Sequence, residues 1–132
     1  MAPEEEAVHL RPSLIVAHGD PVYATLVGEA FRQRRWDVHL ARSGPEARRL
    51  AHGLPSATVV LDADLPGESG WLTCDKLTRQ QPRLRVFLVA SVVTPERRRF
   101  ATFVGAAGLV ARHEAARALV AQLCGTPLPA AG

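Results

Sequence analysis

Long apolar runs are missing from this chain. No stretch approaches the roughly 18 residues that a bilayer-spanning helix needs, so no membrane role is expected. The opening residues, Met1 to Ala7, include Glu4, Glu5 and Glu6 and no basic residue. A secretory leader opens with positive charge ahead of an apolar stretch, so the expected location is the cytoplasm. Cysteine is scarce: Cys74 and Cys124 stand far apart and form no CxxC pair. That excludes a thiolate metal site or a redox motif, and both read as buried thiols. The five histidines, His9, His18, His39, His52 and His113, show no metal-ligand spacing. Also absent are a Walker-type loop, a GxGxxG after a strand, HExxH and GxSxG. No nucleophile and base pair stands out, and the chain is not expected to be an enzyme. Lysine is nearly absent too: among 16 basic residues, Lys76 is the sole lysine. The net charge of +3 allows weak nucleic-acid attraction without establishing it.

What is present is an ordinary globular composition, 47% hydrophobic and 22% charged over 132 residues. That length suits one domain with one full core. Short apolar runs alternate with amphipathic segments. Ser13 to Ala17 reads as a buried strand, and Pro21 to Arg35 as a helix with Tyr23, Leu26, Val27, Ala30 and Phe31 at helical spacing. Asp20 before Pro21 is a good N-cap followed by a first-turn proline. Asp37 to Ala41 alternates as a strand, and Pro45 to Leu54 places Ala47, Leu50, Ala51 and Leu54 on one helical face. Ala57 to Leu61 is the strongest strand, a β-branched apolar run suited to the centre of a parallel sheet. The turn-rich loop Asp62 to Gly70 leads into a helix, Trp71 to Gln81, with Trp71, Cys74 and Leu77 inward. A strand at Leu84 to Ala90, a helix at Pro95 to Val104 carrying Phe100 and Phe103, a strand at Gly108 to Ala111 and a helix at Glu114 to Leu123 complete the pattern.

Strands alternating with helices imply βα units and a parallel sheet. The expected fold is α/β, a doubly wound flavodoxin-like (βα)5 sandwich with strand order 2-1-3-4-5. Residues 1–12 are expected to form a flexible extension, 13–124 the domain, and 125–132 a Pro/Ala tail or the start of a linker. Ligands in such a sheet bind at the carboxyl ends of the strands, where the strand order reverses. His18, Gly19 and Asp20 follow the first strand there, and Asp62 and Asp64 follow the third. A carboxylate at the end of an apolar central strand costs free energy to desolvate unless something pairs with it, which argues for a retained role for Asp62.

Three stretches carry a family resemblance: LIVAHGDP at 14–21, VVLDADLPGESG at 59–70 and VGAAGLVAR at 104–112. They resemble the receiver domains of bacterial two-component response regulators. The middle stretch is the most specific: an aspartate followed by x-x-LPG-x-x-G is met by Asp62, Leu65, Pro66, Gly67 and Gly70. The resemblance implies that Asp62 is the phospho-acceptor position. It also implies a magnesium site built from an acidic pair after the first strand, but His18 and Gly19 stand at those positions, and neither is a hard oxygen ligand. Asp20, one residue on, is explained by helix capping. The hydroxyl position at the end of the fourth strand is matched by Val89, and the lysine position after the fifth by Arg112, which keeps the charge but not the geometry. Leu109 replaces the aromatic switch residue, and His113 the proline that follows the lysine. No cofactor is expected beyond weak magnesium binding through Asp20, Asp62 and Asp64.

The expected function is thus an atypical receiver in bacterial signal transduction. It would act as a phosphorylation-independent or weakly phosphorylated protein-interaction module, regulating transcription through a missing or separate output domain. Two alternatives stay open: a receiver phosphorylated on Asp62, and a pseudo-receiver that senses a small ligand in the pocket of His18, Asp62, Val89 and Arg112. Expected partners are a signalling or output protein, or a second copy, with nucleic acid reached only through an output domain. The partner face is expected to include Arg97, Arg98 and Arg99, because cations at a helix start oppose its dipole. Arg112 is expected to pair with Asp62, or else to point to solvent.

Overall fold

The computed structural model describes residues 11–125. Five parallel strands, β1 (Ser13–Ala17), β2 (Asp37–Ala41), β3 (Thr58–Asp62), β4 (Arg85–Ala90) and β5 (Gly108–Ala111), form one sheet in the order β2-β1-β3-β4-β5. Helices α1 (Pro21–Arg32), α2 (Gly44–Gly53), α3 (Gly70–Gln80), α4 (Pro95–Phe103) and α5 (Ala115–Cys124) connect and follow them. A 3₁₀ turn, Arg112–Glu114, precedes α5. This is the expected doubly wound flavodoxin-like sandwich. Most of the 1–12 extension and the 125–132 tail lie outside the described residues, as does His9.

Alternation along the strands splits the core between the two faces of the sheet. Ile15, Val59, Leu61, Val86 and Leu88 face α2, α3 and α4, with Ala47, Ala51, Cys74, Leu77 and Ala101 covering them. Leu14, Val16, Val60, Phe87, Val89 and Val110 face α1 and α5, and meet Val27, Phe31, Leu119 and Val120. Cys74 is buried and Cys124 half-buried.

Four helix starts follow the same local chemistry. The Asp20 side chain accepts the amides of Val22 and Tyr23 at 3.0 and 3.4 Å. Ser43, Ser69 and Thr94 do the same for α2, α3 and α4 through Glu46, Leu72 and Arg97. Each satisfies an amide that has no partner inside the helix. The start of α3 is pressed against the sheet: Gly70 donates its amide to Ala63 O at 3.0 Å, and a Cβ on Gly70 would overlap the Asp62 carbonyl.

Two sequence expectations are corrected here. The first helix ends at Arg32 rather than Arg35, because the chain must reverse to enter β2. Trp36 returns its amide to Phe31 O at 3.1 Å, and Arg35 takes a left-handed conformation, φ 66°. Leu26 is 63% exposed rather than on the buried stripe, which is formed by Ala24, Val27, Gly28 and Phe31.

Candidate functional site

Strand order reverses between β1 and β3, and the loops after these strands open a crevice there. A cavity of about 340 Å³ is lined by His18, Gly19, Asp20, Asp62, Asp64, Val89, Ala90, Ser91 and Arg112. All seven pocket positions expected from the sequence therefore converge. Asp62 sits at the end of β3 with its side chain 17% exposed. Its Oδ1 accepts the amide of Asp64 at 3.0 Å. Its Oδ2 takes the Gly19 amide at 3.5 Å and lies 3.7 Å from His18 Nε2.

His18 is buried, and its Nδ1 accepts the Asp20 amide at 3.0 Å. A nitrogen that accepts cannot carry the proton of a neutral ring, so the proton is on Nε2, facing Asp62. Burial lowers the His18 pKa from its ordinary value of 6.5; Asp62 and Asp20 push it up, and Arg112 pushes it down. The ring is thus neutral near pH 7, and its contact with Asp62 is a dipole rather than an ion pair.

Arg112 does not pair with Asp62, nor is it left to solvent. Its Nη2 meets Asp20 Oδ2 at 3.0 Å, and its guanidinium lies 5.0 Å from the centre of the Tyr23 ring. Tyr23 donates its hydroxyl to Arg112 O at 2.6 Å and stacks at a tilt on His18, with centroids 4.4 Å apart. The physical reason is reach: Asp20 caps α1 with Oδ1 and turns its second oxygen toward β5, while Tyr23 holds Arg112 on that side. Burial raises the Tyr23 pKa. Tyr23 was read from the sequence only as a stripe residue, and nothing in its spacing signalled this second role.

Val89 is fully buried opposite Asp62 in the sheet and gives its carbonyl to Ala63 N at 2.8 Å. The hydroxyl nearest this strand end belongs to Ser91, which the sequence reading passed over although its type was the signal. Leu109 is buried beneath α4 and accepts Arg98 Nη1 on its carbonyl at 3.5 Å. Arg97 Nη1 bonds Val92 O at 2.9 Å, and Arg99 lies 3.8 Å from Glu96. The three arginines are exposed, but each has a local partner.

Glu68, in the loop after Asp62, is another residue that the sequence did not single out. It receives Arg48 in bidentate fashion at 3.0 and 2.9 Å, Thr73 Oγ1 at 2.7 Å and Lys76 Nζ at 2.9 Å. The Arg48 hydrogen bonds, helped by Lys76 and Thr73, hold its carboxyl at about 2 against the opposing effect of burial. The loop that presents Asp62 is thereby tied to α2 and α3.

A magnesium ion fits this donor set poorly. Among the described residues no group of three or more His, Cys, Asp or Glu is placed to hold a metal. Asp20 is spent on a helix cap and on Arg112, Asp62 already accepts two backbone amides, and a neutral imidazole stands where a hard oxygen is wanted.

Comparisons with known proteins agree with the fold. The family described as "Response regulator receiver domain" matches residues 14–123. A probable transcriptional regulatory protein, TcrX of Mycobacterium tuberculosis, is 33% identical over 79 residues, which is 60% of this chain and 34% of that protein. The match thus spans about a third of that relative's length. The chemotaxis protein CheY4 of Vibrio cholerae superposes with a TM-score of 0.80 at 16% identity, over 87% of this chain and 98% of that one. The receiver domain of the response regulator NarL from Mycobacterium tuberculosis gives 0.75 at 22% identity, over 88% and 98%. Likeness at such identity speaks for the fold, and the family match for the kind of domain. No helix among the described residues is long and apolar enough to cross a membrane. With the family matched across nearly every described residue, this chain belongs to the response regulator receiver domains of two-component signalling.

Proposed function

We propose that this is an atypical receiver that works as a protein-interaction module without phosphorylation of Asp62, serving an output protein that regulates transcription. One observation carries the reading. Three of the four charged groups of the pocket are already met from within the chain: Asp62 by two backbone amides and the His18 ring, and Arg112 and Asp20 by each other. A cation or phosphoryl group arriving there would have to displace those contacts. The transcriptional part of the reading draws on the relative described as a probable transcriptional regulatory protein.

A second reading, phosphorylation on Asp62, is favoured by the open cavity above its carboxylate. Amide NMR spectra with magnesium and beryllofluoride, which mimics the aspartyl phosphate, separate the two. Resonances around Asp62 that stay fixed up to tens of millimolar magnesium support the first. Saturating shifts at about millimolar magnesium establish the second and refute the first. Shifts with a small anion alone, without magnesium, would identify a ligand-sensing pseudo-receiver.

A further inference from the structure

Away from the pocket, the most anomalous surface lies between α3 and α4. Of the four phenylalanines, Phe31 and Phe87 are buried, whereas Phe100 and Phe103 are 47% and 77% exposed. Both exposed rings belong to α4, a helix whose only fully buried residue is Ala101. Phe103 stacks near-parallel on Phe100, with centroids 6.1 Å apart, and Phe100 leans on Trp71 of α3 at 5.2 Å. Leu72, 46% exposed, extends the surface on the α3 side. Between the helices runs a cavity of about 360 Å³ with Val104 among its lining residues. Monomeric proteins rarely leave clustered aromatic surface in water unless something covers it.

We infer that this groove docks an acidic amphipathic helix from a protein partner. The inference rests on the reading of the domain as an interaction module and names the surface and the chemistry of the occupant. The groove has the shape and apolar lining for the large side chains that such a helix presents at i, i+3, i+4 and i+7. Its rim decides the sign of the partner. Asp75 and Arg79 line the groove and pair with each other, while beside it α4 carries Arg97, Arg98 and Arg99 against the single Glu96. Arg79 and Arg99 hold Asp75 and Glu96 at 2.9 and 3.8 Å, but with side chains 75% and 72% exposed these are weak surface pairs that a partner's carboxylates can replace. A second copy of this chain would bring these arginines against their own counterparts, and like charges across an interface oppose association. A single-stranded nucleic acid would be drawn to the arginines and could stack bases on the rings, but it would leave the aliphatic Leu72 and Val104 without partners.

The probe is a capped synthetic peptide of about 15 residues, long enough to hold helical structure. It carries leucines at i, i+3, i+4 and i+7 and mostly glutamate elsewhere. One control replaces the glutamates with lysines, and another scatters the leucines. Amide NMR and the combined emission of Trp71 and Trp36 follow titration of the full chain. The glutamate peptide should bind saturably, shifting residues 71–79 and 97–104, with the lysine and scattered peptides at least roughly tenfold weaker. Phe103→Ala should weaken binding by roughly tenfold without moving the thermal midpoint, because the ring is mostly in water. Arg79→Glu with Arg99→Glu should weaken the glutamate peptide and strengthen the lysine one.

Equal affinity for all three peptides, shifts mapping elsewhere, or indifference to Phe103→Ala would overturn the inference. So would a wild-type dimer that Phe103→Ala dissolves, or a single-stranded oligonucleotide that binds the groove more tightly than the glutamate peptide. If the glutamate peptide binds the groove only with magnesium and beryllofluoride present, the docking surface stands and phosphorylation independence falls.

Discussion

Replacing Glu68 by glutamine tests whether the loop that presents Asp62 is held by charge. The side chain of Glu68 is 10% exposed and is gripped by Arg48, Lys76 and Thr73. Glutamine keeps the shape and the bond from Thr73 but removes the charge that Arg48 and Lys76 answer. The carboxyl is held down from 4.5 to about 2, chiefly by Arg48. A drop of that size corresponds to at most ~3 kcal/mol between the two protonation states. Arg48 and Lys76 are 27% and 41% exposed, so solvent screening reduces the useful part to ~1–2 kcal/mol. In a domain this small that is a fall in midpoint of roughly 3–8 °C at neutral pH. A carboxyl whose pKa is depressed by folding stabilises the fold above its unfolded value and loses that contribution as pH falls toward the folded value. The gap between wild type and Glu68→Gln should therefore be full above pH 4.5 and shrink as pH approaches 2. Urea unfolding of both proteins, followed from neutral pH to about pH 3, measures the gap. A gap that is absent at neutral pH, or that stays constant down to about pH 3, would refute the reasoning.

Three further outcomes follow from the geometry. Arg112→Ala should cost no more than ~1 kcal/mol in urea unfolding, because its pair with Asp20 is about 43–44% exposed on both sides; a loss of several kcal/mol would mean that Arg112 answers a more buried charge. Gly70→Ala should destabilise by more than ~3 kcal/mol, since its methyl would collide with the Asp62 carbonyl, and a thermal midpoint within ~2 °C of wild type would contradict that. The double change His18→Asp and Gly19→Asp should raise magnesium affinity by roughly two decades, read by calorimetry, because two hard anionic ligands enter. Gly19 has room for a side chain, its Cβ position lying 3.8 Å from Asp62 Oδ2 and 3.9 Å from Pro66. Unchanged magnesium affinity would mean that the loop, not the donor set, limits the site.

Much of the architecture was legible because it rests on short-range chemistry. The apolar runs at Leu14–Val16 and Val59–Leu61 allow few placements other than central strands, and Asp20 before Pro21 marks a helix start. The pocket members were legible from their position at strand ends together with the Asp62 motif. What escaped was pairing over distance. Whether Arg112 reaches Asp62 or Asp20 depends on the direction in which a cap residue spends its second oxygen, and on a tyrosine three residues further along the helix. Glu68 looked like one more polar loop residue, because its partners Arg48, Thr73 and Lys76 come from two helices that only the tertiary fold brings together. Helical spacing placed Phe100 and Phe103 together on one helix, but not whether any neighbour would cover them.

The capped helix starts have an electrical consequence. Each helix end contributes about half a positive charge through its unpaired amides, and α1 to α4 all begin at the edge of the sheet where Asp62 lies. Oxygens from Asp20, Ser43, Ser69 and Thr94 already engage those ends, the first of them with a full negative charge. The field that would draw a free anion toward this edge is therefore reduced from inside the chain. Attraction is left mainly to Arg112, itself half neutralised by Asp20. On the proposed reading, an arriving phosphate donor would meet a weakened pull at the edge of the sheet where its acceptor lies.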